Sequence, residues 1–113
     1  MIQRRRWERC RKELAVVIYP TGADPVTGTT IDICEGGVGI SCARTFEAGS
    51  RLTFAIADIA EGEMSGIVRW CTPSKTGSDQ IVGVELDALS AAHRDALGDK
   101  LALWRSQAAD EDE

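Results

Sequence analysis

The sequence predicts a mainly β fold, a six-stranded antiparallel (split) β-barrel with a C-terminal α-helix. Short runs rich in Val, Ile and Thr recur about every 8–15 residues with Gly, Asp and Pro between them, a pattern typical of an antiparallel barrel or sandwich. Near residue 90 the apolar spacing changes to steps of three or four, which is the period of a helix. The length of 113 residues suits one domain with one core.

Six strands are predicted in order, each bounded by turn residues: 14–20, 26–33, 38–42, 52–57, 64–71 and 81–86. The second alternates Thr and Ile, and the fifth has Ile67 and Val68 at its centre. Such β-branched residues fit a pleated, half-buried surface. The loop at 21–25 and the Glu-Gly-Gly turn at 35–37 separate the first three strands.

The predicted helix follows Ser90, a residue type suited to the N-cap. Its apolar stripe consists of Leu89, His93, Leu97, Leu101 and Trp104. We expect this stripe to pack on the sheet; a dimer or partner surface is the alternative interpretation. Gly98 in the helix interior costs about 1 kcal/mol relative to alanine, so the helix is expected to depend on tertiary contacts. After residue 106 the chain becomes small and acidic, and residues 107–113 are interpreted as a frayed acidic tail.

Charge is distributed unevenly along a chain whose net charge is −5. Residues 1–12 hold six Arg or Lys against one Glu, so this segment carries +5 and the remainder −10. An acidic body argues against binding of DNA or RNA, which requires a broad basic surface. A local basic segment still captures a small anion. Residues 1–13 are therefore interpreted as an arginine-rich arm before the barrel and helix at 14–106; a solvated tail is the alternative, against which Trp7 argues.

The sequence also limits the compartment and the cofactors. No apolar run approaches the roughly 20 residues that span a bilayer, and the stretch 14–19 is too short for a signal peptide, so a cytoplasmic protein without membrane insertion is expected. No metal site is predicted, because the chain has one histidine and no Cys-x-x-Cys pair. The cysteines, which we expect to be reduced and structural, are Cys10, Cys34, Cys42 and Cys71.

Two segments carry residues suited to an anionic purine nucleotide. The first is the arm, where Arg5 and Arg9 stand four residues apart and Arg4 and Arg6 lie beside them. A guanidinium grips phosphate oxygens in pairs, or the O6 and N7 acceptors of guanine. The second is the segment 32–39, Asp-Ile-Cys-Glu-Gly-Gly-Val-Gly, whose carboxylate suits the N1–H and N2–H₂ donors of guanine and whose glycines permit close backbone approach. Taken separately, each segment also has a plain interpretation, a solvated tail or a hairpin turn.

Together the two segments resemble the PilZ domain family, which binds the bacterial second messenger cyclic di-GMP (c-di-GMP). Arg5 and Arg9 match the Arg-x-x-x-Arg motif that precedes the family's first strand. Asp32 and Gly37 match its (Asp/Asn)-x-Ser-x-x-Gly motif, and the segments at 66–70 and 82–86 look like its later strands. Cys34 stands where the family has serine. Because a thiol is a poorer hydrogen-bond partner, we expect this change to weaken binding by about 0.5–1.5 kcal/mol.

The resemblance implies a single-domain receptor whose arm closes over the ligand, often taken by the family as a stacked dimer. The ligand-binding residues that it implies are Arg4, Arg5, Arg9, Asp32, Cys34 and Gly37. The arginines would contact phosphates and guanine edges, Asp32 would read a guanine edge, and Cys34 and the Gly37 backbone would line the floor. Trp70 is expected to pack at the barrel mouth rather than to stack on the ligand.

By the same resemblance, closure of the arm changes the surface offered to an unidentified effector protein, and the regulated process is motility, exopolysaccharide output in biofilms, or virulence. The chain itself is expected to be a monomer or a weak dimer. An adaptor that acts through protein contacts without the nucleotide is the alternative. Catalysis is not expected, because Cys34 and His93 offer a nucleophile and a base but no third orienting group is evident.

Overall fold

The computed structural model describes residues 9–75 and 77–111, with side chains up to Gln107, and in this part of the chain seven strands precede one helix. These elements are β1 (Cys10–Arg11), β2 (Ala15–Ile18), β3 (Val26–Cys34), β4 (Gly37–Cys42), β5 (Arg51–Ala55), β6 (Met64–Pro73), β7 (Gln80–Leu86) and α1 (Ala91–Glu111). The predicted mainly β fold with a C-terminal helix is confirmed. The six predicted strands correspond to β2 through β7.

Strands β2 to β7 form a closed antiparallel ring. The order around it is β3, β2, β5, β6, β7 and β4, and pairing of β4 with β3 closes the circle. Closure gives each of these six strands two neighbours, which is how small barrels avoid exposed sheet edges. The short β1 is an addition to this ring. It pairs with β3 at Asp32 and Ile33, while β2 pairs with Val26 to Thr29 of the same strand.

The core fills the barrel and continues under the helix. Phe54 and Ile40 are fully buried among the Val, Ile and Leu side chains of the ring. Two residues of α1 join them, Leu97 at 2% and Leu101 at 0% exposure. Burial of these two side chains removes apolar surface worth roughly 1.5–3 kcal/mol each. The prediction that the apolar stripe of the helix packs on the sheet is therefore confirmed.

The helix N-terminus is fixed by polar contacts. Ser90 is the N-cap as predicted, since its Oγ accepts a hydrogen bond from the His93 backbone N–H at 3.1 Å. The His93 ring, although part of the predicted stripe, makes polar contacts: Nδ1 lies 2.9 Å from Ser90 Oγ and Nε2 lies 2.8 Å from the Glu61 carbonyl oxygen. Because a carbonyl only accepts, Nε2 carries the proton and Nδ1 accepts from the serine hydroxyl. His93 thus ties the helix to the loop before β6.

The ordered sheet begins earlier and the helix ends later than the sequence suggested. Residues 10 and 11 belong to β1, although the arm was expected to reach residue 13. They pair with the end of β3, where Cys10 lies opposite Ile33 and Arg11 opposite Asp32. The buried Thr30 hydroxyl fixes the residues that follow, because it donates to the Lys12 carbonyl at 2.5 Å and accepts from Leu14 N–H at 2.8 Å. The expectation of a frayed tail is wrong for 107–111, which continue α1 to Glu111. Glutamine and two alanines favour helix strongly enough to extend it.

Gly98→Ala is expected to raise the free energy of unfolding by about 0.5–1 kcal/mol. A Cβ at Gly98 meets no heavy atom within 4 Å, and alanine removes the entropic penalty of glycine inside a helix. Urea denaturation followed by circular dichroism measures the change. Gly62→Ala is the matched control and should destabilise, because Gly62 has a φ of +93°. An unchanged or lower unfolding midpoint for Gly98→Ala would contradict the prediction.

Candidate ligand-binding site

A cleft of about 370 Å³ opens on the outer face of the barrel beside the start of β1. Its volume falls in the range of roughly 300–1,000 Å³ that is usual for small-molecule sites. The cleft is lined by Arg9, Ile31, Asp32, Gly36, Gly37, Gly39, Arg69, Trp70, Ile81, Gly83 and Val84. Arg9 from the arm and Asp32 and Gly37 from the segment 32–39 therefore line the same cleft.

A β-bulge in β3 turns two consecutive residues toward this cleft. The pairing with β4 changes register between Thr30, opposite Ile40, and Asp32, opposite Gly39, so Ile31 is the extra residue. In a regular strand neighbouring side chains point to opposite faces. The bulge suspends that alternation, and Ile31 and Asp32 both line the cleft while Thr30 is buried.

A second bulge does the same in β6. The pairing with β7 changes register between Val68, opposite Val84, and Trp70, opposite Gly83. The extra residue, Arg69, and its neighbour Trp70 both line the cleft. Two bulges on separate strands thus supply a carboxylate from one side and a guanidinium and an indole from the other.

The floor between these side chains is made of two glycines. Gly39 of β4 and Gly83 of β7 are direct partners in the sheet. A Cβ on Gly39 would lie 2.9 Å from Asp32 Oδ1, and a Cβ on Gly83 would lie 2.2 Å from Trp70 Cε2. The Asp32 carboxylate and the Trp70 indole therefore lie directly over the glycine backbone, in space that the side chain of any other residue at these two positions would occupy.

Arg9 lies over the opposite part of the cleft, against the turn between β3 and β4. Its NH2 contacts Asp32 Oδ1 at 3.0 Å and its NH1 contacts Cys34 Sγ at 3.4 Å. The hydrogen bond to Asp32 raises the pKa of Arg9 and keeps the guanidinium charged. A Cβ on Gly37 would lie 3.8 Å from the same guanidinium. The structure thus brings together four of the six residues predicted to bind ligand, Arg9, Asp32, Cys34 and Gly37; Arg4 and Arg5 lie outside the described residues.

Most of the residues that line the cleft were not predicted to bind ligand, and one was misjudged. Arg69, Gly39 and Gly83 are the missed residues that shape the cleft most, and Trp70 was expected to pack at the barrel mouth. That expectation is wrong, because Trp70 is 49% exposed and lines the cleft. Arg69 forms an ion pair with Glu85 on the adjacent strand. The pairing of Gly83 with Trp70 on the neighbouring strand could have indicated the cleft. Recognising that pair requires the register between β6 and β7, which the sequence does not show.

Cys34 is 4% exposed at the end of β3, with its sulfur against Arg9. Cys34→Ser is expected to preserve or tighten binding of c-di-GMP, by up to about 10-fold, because a hydroxyl is the better hydrogen-bond partner. Calorimetric titration measures the change. Cys42→Ser is the matched control: this thiol is also buried, but it contacts the Arg44 carbonyl, and the variant should lose stability without a change in affinity. A large loss of affinity in Cys34→Ser would contradict the expectation.

The described part of the chain contains neither a metal-binding group nor a membrane-spanning helix. Among its residues no group of three His, Cys, Asp or Glu side chains is arranged to hold a metal ion. The helix that the structure describes is not apolar enough to cross a membrane.

The fold is a closed antiparallel barrel whose cleft places an arginine, a carboxylate and an indole around a glycine floor, an arrangement suited to a small polar ligand. Residues 3–103 match the PilZ domain, and the chain belongs to that family. Its members are receptor and adaptor domains for c-di-GMP signalling rather than enzymes. A search of curated proteins found no match to the chain.

Solved structures share the fold at low sequence identity. The PilZ domain of Escherichia coli YcgR with c-di-GMP superposes with a TM-score of 0.77 at 12% identity, covering 96% of this chain and 97% of that one. The Bacillus subtilis inhibitor of motility MotI (DgrA) gives a TM-score of 0.76 at 21% identity, covering 96% of this chain and 53% of that one. The complex of K. pneumonia MrkH with c-di-GMP gives a TM-score of 0.74 at 14% identity, covering 99% of this chain and 57% of that one. The chain thus spans about half the length of the last two proteins.

Proposed function

We propose that this chain is a receptor that binds c-di-GMP in the cleft between Arg9 and the β3–β4 turn. The observation that carries the proposal is the placement of Arg9 beside Asp32 and Gly37, because these residues come from the two motifs of the family and meet at one cleft. Family membership and the c-di-GMP complexes of structural neighbours support the choice of ligand.

The chemistry of the cleft suits a guanine nucleotide. Arg9 and Asp32 satisfy each other across 3.0 Å in a partly exposed ion pair, which contributes at most about 1 kcal/mol to stability. A nucleotide that gives Arg9 a phosphate and gives Asp32 the N1–H and N2–H₂ donors of guanine replaces this pair with two sets of charge-assisted hydrogen bonds. Exchange of partners therefore has a low energetic cost.

Trp70 and Arg69 extend the proposed contacts to the far side of the floor. The exposed indole presents a face on which a purine can stack, a contact worth about 1–3 kcal/mol for a base on an aromatic side chain. Arg69 is more than half exposed in its ion pair with Glu85 and can reach a second phosphate. Arg4 and Arg5, which precede Arg9 in the sequence, are proposed to complete the phosphate contacts by the family motif.

Calorimetric titration with c-di-GMP tests the proposal. We expect saturable heat with a Kd in the micromolar range or tighter. Cyclic di-AMP is the matched control ligand: it has the same phosphates but lacks the guanine O6 acceptor and the N1–H and N2–H₂ donors, so it should bind at least about 10-fold more weakly. Absence of heat at tens of micromolar c-di-GMP would contradict the receptor and leave the adaptor that works without nucleotide.

The ligand is proposed to act by changing the surface that the domain offers to an effector protein. A pull-down from cell extract with and without c-di-GMP should recover a partner whose yield depends on the ligand. Motility is the first process to examine, since one structural neighbour is an inhibitor of motility.

A further inference from the structure

The end of helix α1 is joined to the turn of the candidate site by a bidentate ion pair. The Arg105 guanidinium donates from NH1 to Glu35 Oε2 at 2.8 Å and from NH2 to Glu35 Oε1 at 2.9 Å. Both side chains are about two-thirds buried, at 28% and 35% exposure. The hydrogen bond from Arg105 lowers the pKa of Glu35, and the carboxylate raises the pKa of Arg105. Both groups therefore remain charged and paired over a wide pH range.

The same helix end also contacts the residues that follow Arg9 in the chain. The Arg105 side chain interacts with the Cys10 thiol of β1. The Lys12 ammonium lies 5.4 Å from the centre of the Trp104 ring, within the range of a cation–π contact. One turn of α1 thus contacts both the residues that follow Arg9 and the β3–β4 turn.

Glu35 lies in the β3–β4 turn, so a small displacement of its backbone moves neighbouring residues of the candidate site. It follows Cys34, whose sulfur contacts Arg9, and it precedes Gly36 and Gly37, which line the cleft. The Gly36 carbonyl accepts a hydrogen bond from Leu86 N–H at 3.0 Å, so the turn is fixed to β7 on one side and to Arg105 on the other. Loss of the ion pair removes one of these two attachments.

We propose that Arg105, acting through Glu35, is a positioning residue for the ligand cleft, so that docking of α1 and ordering of the β3–β4 turn stabilise each other. The inference rests on the proposed function for its ligand. Because coupling between two equilibria is reciprocal, a ligand that favours the ordered turn must favour the docked helix by the same factor. Ligand binding in the cleft therefore strengthens the docking of the C-terminal half of α1 on the barrel.

A double-mutant cycle on c-di-GMP affinity tests the coupling. Glu35→Gln and Arg105→Gln are each expected to raise the Kd by about 5–10-fold, and the double variant should be no weaker than the weaker single one, because both changes remove the same contact. Arg51→Gln is the matched control. It breaks another bidentate Arg–carboxylate pair, with Asp87 at 3.0 Å for both bonds, whose residues do not line the cleft, and it should leave the Kd unchanged.

Hydrogen exchange supplies a measurement that needs no ligand. In free protein, Arg105→Gln should speed amide exchange in residues 10–11 and 34–37, whereas Arg51→Gln should not. With c-di-GMP, exchange in residues 99–107 should slow in the wild type and change little in Arg105→Gln.

The two proposals fail in different ways. If the wild type binds c-di-GMP and both single variants bind equally well, or the two losses are additive, the positioning role is wrong while the receptor stands. If the wild type gives no heat but Arg105→Gln still loosens residues 34–37, the receptor is wrong and the positioning of the turn stands. Unchanged exchange in free Arg105→Gln overturns the positioning role whatever the ligand does.

Discussion

Arg9→Ala is expected to weaken c-di-GMP binding by about 100-fold or more. The substitution removes the guanidinium over Gly37 that we propose to contact a phosphate, and it leaves the Asp32 carboxylate without its counter-charge. Truncation of one partner in a buried, hydrogen-bonded charge pair, such as Arg9 and a phosphate would form in the complex, typically costs 2–5 kcal/mol in binding, and about 2.7 kcal/mol corresponds to 100-fold. The melting temperature of the free domain should change little, because a partly exposed ion pair contributes about 1 kcal/mol or less.

Titration calorimetry and thermal denaturation measure the two effects on one sample. Arg11→Ala is the matched control, since it removes the same charge from an exposed position of β1 that does not line the cleft. Arg9→Lys should lie between wild type and Arg9→Ala, because an ammonium keeps the charge but not the planar fork. Arg5→Ala is expected to match Arg9→Ala. An unfolded Arg9→Ala, or one with wild-type affinity, would refute the assigned role.

Gly83→Ala is expected to weaken binding by about 10-fold or more, although alanine is a small residue. Its Cβ would lie 2.2 Å from Trp70 Cε2, so the indole must leave the floor of the cleft. Trp70→Ala removes the stacking surface directly and should have the same effect, since a base on an aromatic side chain is worth about 1–3 kcal/mol. Calorimetry gives the affinities, and the indole N–H resonance of Trp70 reports whether the ring has moved.

A variant that combines Trp70→Ala and Gly83→Ala shows whether Gly83→Ala weakens binding by displacing the Trp70 indole or by disturbing the local structure. In a Trp70→Ala background, Gly83→Ala should cost nothing further, because the side chain with which it collides is gone. Gly98→Ala changes a glycine away from the cleft and is the control for affinity. Wild-type affinity in both Gly83→Ala and Trp70→Ala would show that the indole does not stack on the ligand.

Local patterns were sufficient to predict most of the fold. Alternation of Thr and Ile placed β3, the change of apolar period placed α1, and Ser90 marked its start. These features depend on neighbours within a few residues, which the sequence displays directly. The two motifs also gave three residues that line one cleft, Arg9, Asp32 and Gly37, although their role toward a ligand stays a prediction. The sulfur of a fourth, Cys34, contacts Arg9.

The features that the sequence concealed depend on residues far apart in the chain. The bulges at Ile31 and Arg69 change which face each side chain occupies, and period-two alternation cannot reveal them. The exposed position of the Trp70 indole depends on the glycine at position 83 opposite it. That pairing follows from the register of β6 and β7 and not from the local preferences of either residue. Residues 10 and 11 join the sheet by pairing with Ile33 and Asp32, which lie more than 20 residues away in the sequence.

If the cleft binds a ligand as proposed, the glycine floor also determines when, during synthesis, that ligand can first bind. Gly39 lies in the first half of the chain and Gly83 in its last third, and the two meet only when β7 has paired with β4. A nascent chain that has not reached Gln80 already contains Arg9 and Asp32 but has nothing to support a base. A ligand held on this floor therefore stabilises finished barrels alone, by mass action on the folded state. Its concentration relative to Kd would then influence how long completed molecules survive proteases in the cell.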